Sequence, residues 1–158
     1  MNKLLIITAF ILLAASQKSF AQDSAKQSQT PQLLSLYYNI KDALVAGDAN
    51  AASNSAQEFV KEANSADASV LPQSSVAELV KHAGGIADTK NITHQREHFA
   101  ELSSSMANVV KVVKLTDQPV YQVYCPMKKA YWLSSSKTIK NPYFGSAMLN
   151  CGKVAATF

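Results

Sequence analysis

Residues 91–113, NITHQREHFAELSSSMANVVKVV, set Ile92, Gln95, Phe99, Leu102, Met106, Val109 and Val113 three or four positions apart. That period puts them on one stripe of an α-helix, and seven members make a continuous seam. A helix with so long a seam needs several partners to cover it. The stretch therefore predicts a mostly α fold (α+β): an antiparallel bundle of about four helices with a small C-terminal β or irregular cap.

Upstream, the partners are readable. Leu33, Leu36, Tyr37, Ile40 and Leu44 repeat the helical spacing after Pro31 and stop at Gly47. Asp48 is a good N-cap for an Ala-rich helix to about Ser65, with Ala52, Ala56, Phe59, Val60 and Ala63 inward. So short a connection makes the two an antiparallel hairpin. Leu71-Pro72 breaks the chain, and Ser74 or Ser75 with Glu78 predicts a cap for a third helix through Val76, Leu79, Val80 and Ala83. Gly84-Gly85 is expected to weaken or bend it.

Downstream of Leu115 the period changes. Asp117-Gln118-Pro119 reads as a turn, and Val120 to Cys125 is β-branched and aromatic, which favours a strand. Alternation puts Tyr121, Val123 and Cys125 on one face, with Met127 following Cys125 to the same side if the extended backbone continues. Trp132-Leu133, a Ser-rich turn, the Asn141-Pro142 turn and a short segment around Ala147 to Cys151 complete the cap.

At the other end, Met1-Asn2-Lys3, an apolar run from Leu4 to Ala15 and the small-x-small pattern Ser19-Phe20-Ala21 read as a signal peptide over 1–21. The run is short for a bilayer crossing, so no membrane anchor is expected after cleavage. Residues 22–30, rich in Ser and Gln, read as a flexible leader. The remainder, 31–158, is a single domain, with a helical part over 31–115 and a Cys/Met-rich cap over 116–158. Loss of Lys3 and Lys18 leaves 13 basic and 11 acidic side chains and lowers the formal charge from +4 to +2. So small and dispersed a charge argues against nucleic acid as a partner. Export places the protein in the periplasm or outside the cell, where a Cys pair closes a disulfide or binds a metal.

The unusual chemistry lies in the cap. Both cysteines, two of four methionines and the lone Trp fall between Tyr124 and Gly152. Cys125-x-Met127 and Met148-x-x-Cys151 each set a thiol near a thioether, and such soft ligands select soft ions, Cu(I) foremost. The competing reading is a Cys125–Cys151 disulfide, worth about 3 kcal/mol in the chain-entropy model, with the methionines as core filler. His94 and His98, four apart, project to one flank of their helix, as two imidazoles offered to one ion or as part of a solvated face with Glu97 and Glu101. His82 reads as a surface residue. An enzyme is not expected: a thiol-imidazole pair would lack a recognisable oxyanion turn, and the serine runs lack a nucleophile elbow.

Several motifs together resemble the DUF3347 family of exported bacterial domains. They are His94-Gln95-Arg96 with Phe99, Cys125-Pro126-Met127, Trp132-Leu133, Asn141-Pro142-Tyr143-Phe144-Gly145 and Cys151-Gly152, with Tyr37-Tyr38 in the first helix. The family is formally of unknown function. It also occurs at the end of periplasmic adaptor subunits of heavy-metal efflux pumps of the copper/silver type. The resemblance implies copper as the metal ion and periplasmic components of such an efflux system as partners. Carried over by position, the ligands would be Cys125, Met127, Met148 and Cys151, with His94 as a nitrogen ligand and Met106 the weakest candidate. Only Lys128 to Tyr131 separate the Cys-Pro-Met and Trp-Leu motifs, where the family has a longer, Gly-containing loop. The expected function is soft-metal binding in homeostasis or efflux. The alternative is a disulfide-stapled interaction module without metal, its contact surface the aromatic pairs Tyr131-Trp132 and Tyr143-Phe144.

Overall fold

The seam helix is α4, Ile92–Val112, in a computed structural model that describes residues 20–158, with side chains from Gln32 onward. Before it come α1 (Phe20–Ala46), α2 (Ala49–Ser65) and α3 (Gln73–Ala87). Each packs on the next in sequence, as their short connections require. Phe99, Leu102, Met106 and Val109 of α4 are buried, and so are Leu33, Tyr37, Ile40 and Leu44 of α1. Met106, fully enclosed, is core and nothing else. Gln95, the polar member of the seam, is buried because its Nε2 donates to the carbonyls of Ala49, Ile86 and Thr89, fastening the α3–α4 turn to the start of α2.

Helix starts follow their capping residues. Asp48 Oδ1 accepts from the N–H groups of Asn50 and Ala51, and Asn91 Oδ1 from those of Thr93 and His94. Helix α3 differs from expectation: it begins directly after Pro72 without a side-chain cap, and it runs through Gly84-Gly85 to Ala87. Helix α1 also departs, since it extends back to Phe20 through the segment 22–30 expected to be a leader. Three of its nine residues are Gln, with one Ala and one Lys, and extending a helix already begun costs less than starting one. Among the described side chains the first buried one is Leu33. The signal peptide expected over 1–21 lies, but for its last two residues, outside the described residues. Among the described residues no helix is long and apolar enough to cross a membrane.

The cap is a three-stranded antiparallel sheet in the order β2-β1-β3, from β1 (Tyr121–Cys125), β2 (Ala130–Ser134) and β3 (Lys153–Thr157). Val123 pairs with Trp132 on one side and with Val154 on the other. Val123 and Cys125 are buried on the predicted shared face. The last strand was not expected, and a 3-10 turn, Gly145–Met148, occupies the segment where the final element was.

Sheet and bundle meet at one hydroxyl. Tyr37, fully buried in α1, shares a 2.7 Å hydrogen bond with Ser103 of α4 and accepts the N–H of Leu133 in β2 at 3.0 Å. An edge-strand donor is thus satisfied by a helix rather than by water. An aromatic file continues the contact, Tyr37 stacked on Phe99, Phe99 against Tyr143, and Tyr143 edge-on to Trp132. The Tyr37→Phe variant keeps the ring and orphans the Leu133 N–H, so chemical denaturation should show a loss of about 1–3 kcal/mol. An unchanged midpoint would mean that water or a shifted strand takes over the bond.

Candidate functional site

Strand β1 delivers Cys125 to the floor of the cap, where it is wholly buried. The chain then turns at once, with the Lys129 N–H returning to the Cys125 carbonyl at 2.8 Å and Lys129 at φ 58°. The extended course that would have sent Met127 to the same side as Cys125 is therefore absent. Met127 instead rides the hairpin loop, 62 % exposed. The tightness of the turn brings the Lys128 N–H to the Cys125 sulfur at 3.4 Å.

Cys151 approaches from the opposite side. Its backbone N–H closes on the Met148 carbonyl at 3.0 Å at the end of the 3-10 turn, and Gly152 follows. A Cβ on Gly152 would stand 2.7 Å from Cη2 of the buried Trp132, so only glycine lets the strand enter this close to the indole. The half-buried Cys151 thiol stands beside the Cys125 thiol and the Met127 backbone. Burial, and then the neighbouring Cys125, push the Cys151 thiol above its ordinary range.

The residue that organises this meeting is Asn141. Fully enclosed, it donates from Nδ2 to the Cys125 sulfur at 3.2 Å and to the Cys151 carbonyl at 2.7 Å, and accepts at Oδ1 from the N–H groups of Tyr143 and Phe144. Sequence reading took Asn141-Pro142 for a turn alone. Its four bonds show a polar hub. The signal available was an Asn flanked by two Cys-containing motifs, but which groups it would meet depends on a fold the local sequence does not state.

Of the five expected ligands, the structure joins the two thiols. Met127 and Met148 stand in the two flanking loops, 62 % and 39 % exposed, so neither is the core filler the competing reading required. His94 stands apart from the pair. Its neighbours are Glu97 at 3.2 Å and the His98 ring, while Arg96, two residues on, faces the cap and donates to the carbonyls of Pro142 and Leu44. Two residues turn a helix by about 200°, so a helix that aims Arg96 at the cap aims His94 away from it. With the side chains as they stand, no three His, Cys, Asp or Glu groups among the described residues are placed to hold one ion.

His82 is likewise not a plain surface residue. Only 14 % exposed, it is 3.4 Å from Glu78 and faces the His98 ring across α3 and α4.

Chemically, the thiol pair can do two things. It can close a disulfide, or it can hold an ion content with two thiolates and a thioether, with the surrounding N–H donors supporting charge on sulfur. Structural zinc, which requires four N, O or S ligands, finds too few here.

A family model described as a protein of unknown function, DUF3347, matches residues 33–118. The match covers the helical part from Leu33 and ends before β1, so it includes His94 and Met106 and none of Cys125, Met127, Met148 and Cys151. No curated protein and no solved structure matches the chain.

Replacement of Asn141 by Ala removes four hydrogen bonds from a closed site and should cost about 3 kcal/mol, read by denaturant unfolding. Near neutral pH the native Cys151 should alkylate more slowly than a free thiol, since the thiolate is the nucleophile and its formation is displaced to higher pH. A rate-against-pH curve with a midpoint at or below the ordinary thiol value would contradict the geometry around Cys151.

Proposed function

Because the chain belongs to the DUF3347 family and its cap gathers a buried and a half-buried cysteine around Asn141, we propose that it is a soft-metal binding protein, taking Cu(I) as cargo. Cys125 and Cys151 supply thiolates. Met127 and Met148 supply thioethers from loops that would otherwise leave apolar side chains in water. The observation that carries the reading is Asn141 bridging the two cysteine segments, its Nδ2 on the Cys125 sulfur and the Cys151 carbonyl, with the Lys128 N–H on the same sulfur and the Cys151 thiol beside it. Two soft anionic ligands with neutral soft neighbours match Cu(I), which tolerates low coordination numbers, better than the harder divalent ions. Asn141 fixes the pair, as a hydrogen-bonding neighbour fixes a ligand in other metal sites.

The setting we propose is the bacterial periplasm, with the protein buffering or passing on copper beside periplasmic components of heavy-metal efflux. The surface position of Cys151 and the two methionines suits exchange, because an incoming ligand can reach the ion from that side alone. The same thiol contact favours a second reading, a disulfide-stapled interaction module that binds no metal.

Anaerobic competition against a chromophoric Cu(I) chelator on the reduced protein separates them. Stoichiometric binding is expected, abolished in Cys151→Ser and in Cys125→Ser/Cys151→Ser, with folding checked by circular dichroism. Met127→Leu/Met148→Leu should weaken it about tenfold, or about 1.4 kcal/mol, while sparing the fold. No uptake by the reduced protein, together with no free thiol in protein purified without reductant, would select the staple.

A further inference from the structure

The chain has three histidines, and the fold brings all three to one place. The His98 ring centroid is 5.2 Å from that of His94, one turn away on α4, and 6.5 Å from that of His82 on α3. We infer that His82, His94 and His98 form a second cation site, for a divalent ion of the imidazole-preferring class such as Zn(II), Ni(II) or Cu(II). It shares no ligand with the sulfur pair and stands whether or not that pair binds copper.

Three observations carry this. The first is Gly85. A Cβ there would lie 2.4 Å from Cε1 and 2.5 Å from Nδ1 of His98, so the imidazole fills the space a side chain would take. A glycine inside a helix costs about 1 kcal/mol against alanine, and what replaces it here is a polar ring laid against bare backbone, a poor trade for packing alone. The Gly84-Gly85 pair expected to bend α3 is thus a notch that seats His98.

The second is the placement of carboxylates. Glu78 Oε2 lies 3.4 Å from Nε2 of His82, and Glu97 Oε2 lies 3.2 Å from Nδ1 of His94. Each carboxylate holds one ring nitrogen and leaves the other, Nδ1 of His82 and Nε2 of His94, for an ion. This is how ligating imidazoles are oriented in metal sites. The third is spacing: histidines four apart on a helix present two imidazoles to one point, and a third from the neighbouring helix brings the set to the count at which an open divalent site forms.

In the structure the rings stand edge-on and tilted to one another, not aimed at a common point. Closing on an ion therefore requires the outer rings to turn toward the seated His98. The His94 side chain, 61 % exposed, is free to do so.

The test is long-range proton–nitrogen NMR of the imidazoles in the reduced full chain titrated with Zn(II). It reads each ring separately, so zinc taken by the thiols does not mimic the result. Metal-bound nitrogen shifts are expected at His98 and at least one other histidine by two equivalents. His98→Gln should lower the affinity of this site at least tenfold and leave Cu(I) uptake at the sulfurs unchanged. Gly85→Ala, which pushes the ring from its notch, should act in the same direction. Should His98→Gln fail to fold, the exposed His94→Gln gives the same reading. Unmoved imidazole nitrogens at two equivalents, a response confined to one ring, or wild-type affinity in the folded variants would overturn the proposal.

Discussion

The cap is organised by one buried amide whose hydrogen-bonding groups are met by protein on every side. Asn141 has two donor hydrogens and an acceptor oxygen, and its enclosure obliges each to find protein. The partners come from three separate pieces of chain: the end of β1, the entry to β3, and the loop just after Asn141 itself. A short sheet of three strands has little core of its own, and two of its strands are edges. The amide supplies what the sheet lacks, a fixed point at which both cysteine-bearing segments are held. The sulfur pair is thus a consequence of the polar hub as much as of any affinity between the thiols.

That hub would float without a second attachment to the bundle. Tyr37 and Arg96 provide it, each by reaching from a helix to backbone in the cap or beside it. Tyr37 satisfies an edge-strand N–H. Arg96 donates to the Pro142 carbonyl next to Asn141 and to the Leu44 carbonyl near the C-terminal end of α1, where helix carbonyls lack partners and a cation is favoured. Burial lowers the Arg96 pKa, a small effect on a group that remains charged throughout the physiological range. The direction of Arg96 then fixes the rotation of α4 about its axis. With the apolar seam facing the other helices and Arg96 facing the cap, His94 and His98 are left to the α3 side, where Gly85 receives the latter. One helix thus separates a sulfur cluster from an imidazole cluster.

The helical part was legible because its signals are local. Periodicity located the faces of α1, α2 and α4, and Asp48 and Asn91 announced their own helices through side chains that cap within three residues. What escaped is what depends on distant partners. Strand β3, with Ala155-Ala156 and little alternation, has poor strand propensity, and it forms because β1 offers an unpaired edge; the register shift opposite Gln122 and Val123 shows pairing prevailing over local preference. Gly84-Gly85 reads as a break only while the ring that fills the gap is unknown. The proximity of Cys125 and Cys151 could be named from residue types, whereas the removal of His94 from them could not, because it turns on the azimuth of α4.

The two clusters differ in the chemistry they can support, and the difference follows from exposure and charge. At the sulfur pair a proton, a disulfide and a soft ion compete for the same two atoms. The raised Cys151 thiol favours the proton until a ligand strong enough to displace it arrives, so hard and borderline ions that bind thiolates weakly are disadvantaged there. At the imidazoles the carboxylates of Glu78 and Glu97 would compensate part of the charge a divalent ion brings. On the proposed reading, a protein that holds thiols and imidazoles apart would sort ions by softness within one small domain. In a shared site the thiols would dominate the choice, and a cupric ion would be reduced by the groups that bound it. The wedge of α4 between the clusters, set by Arg96, keeps those reactions separate.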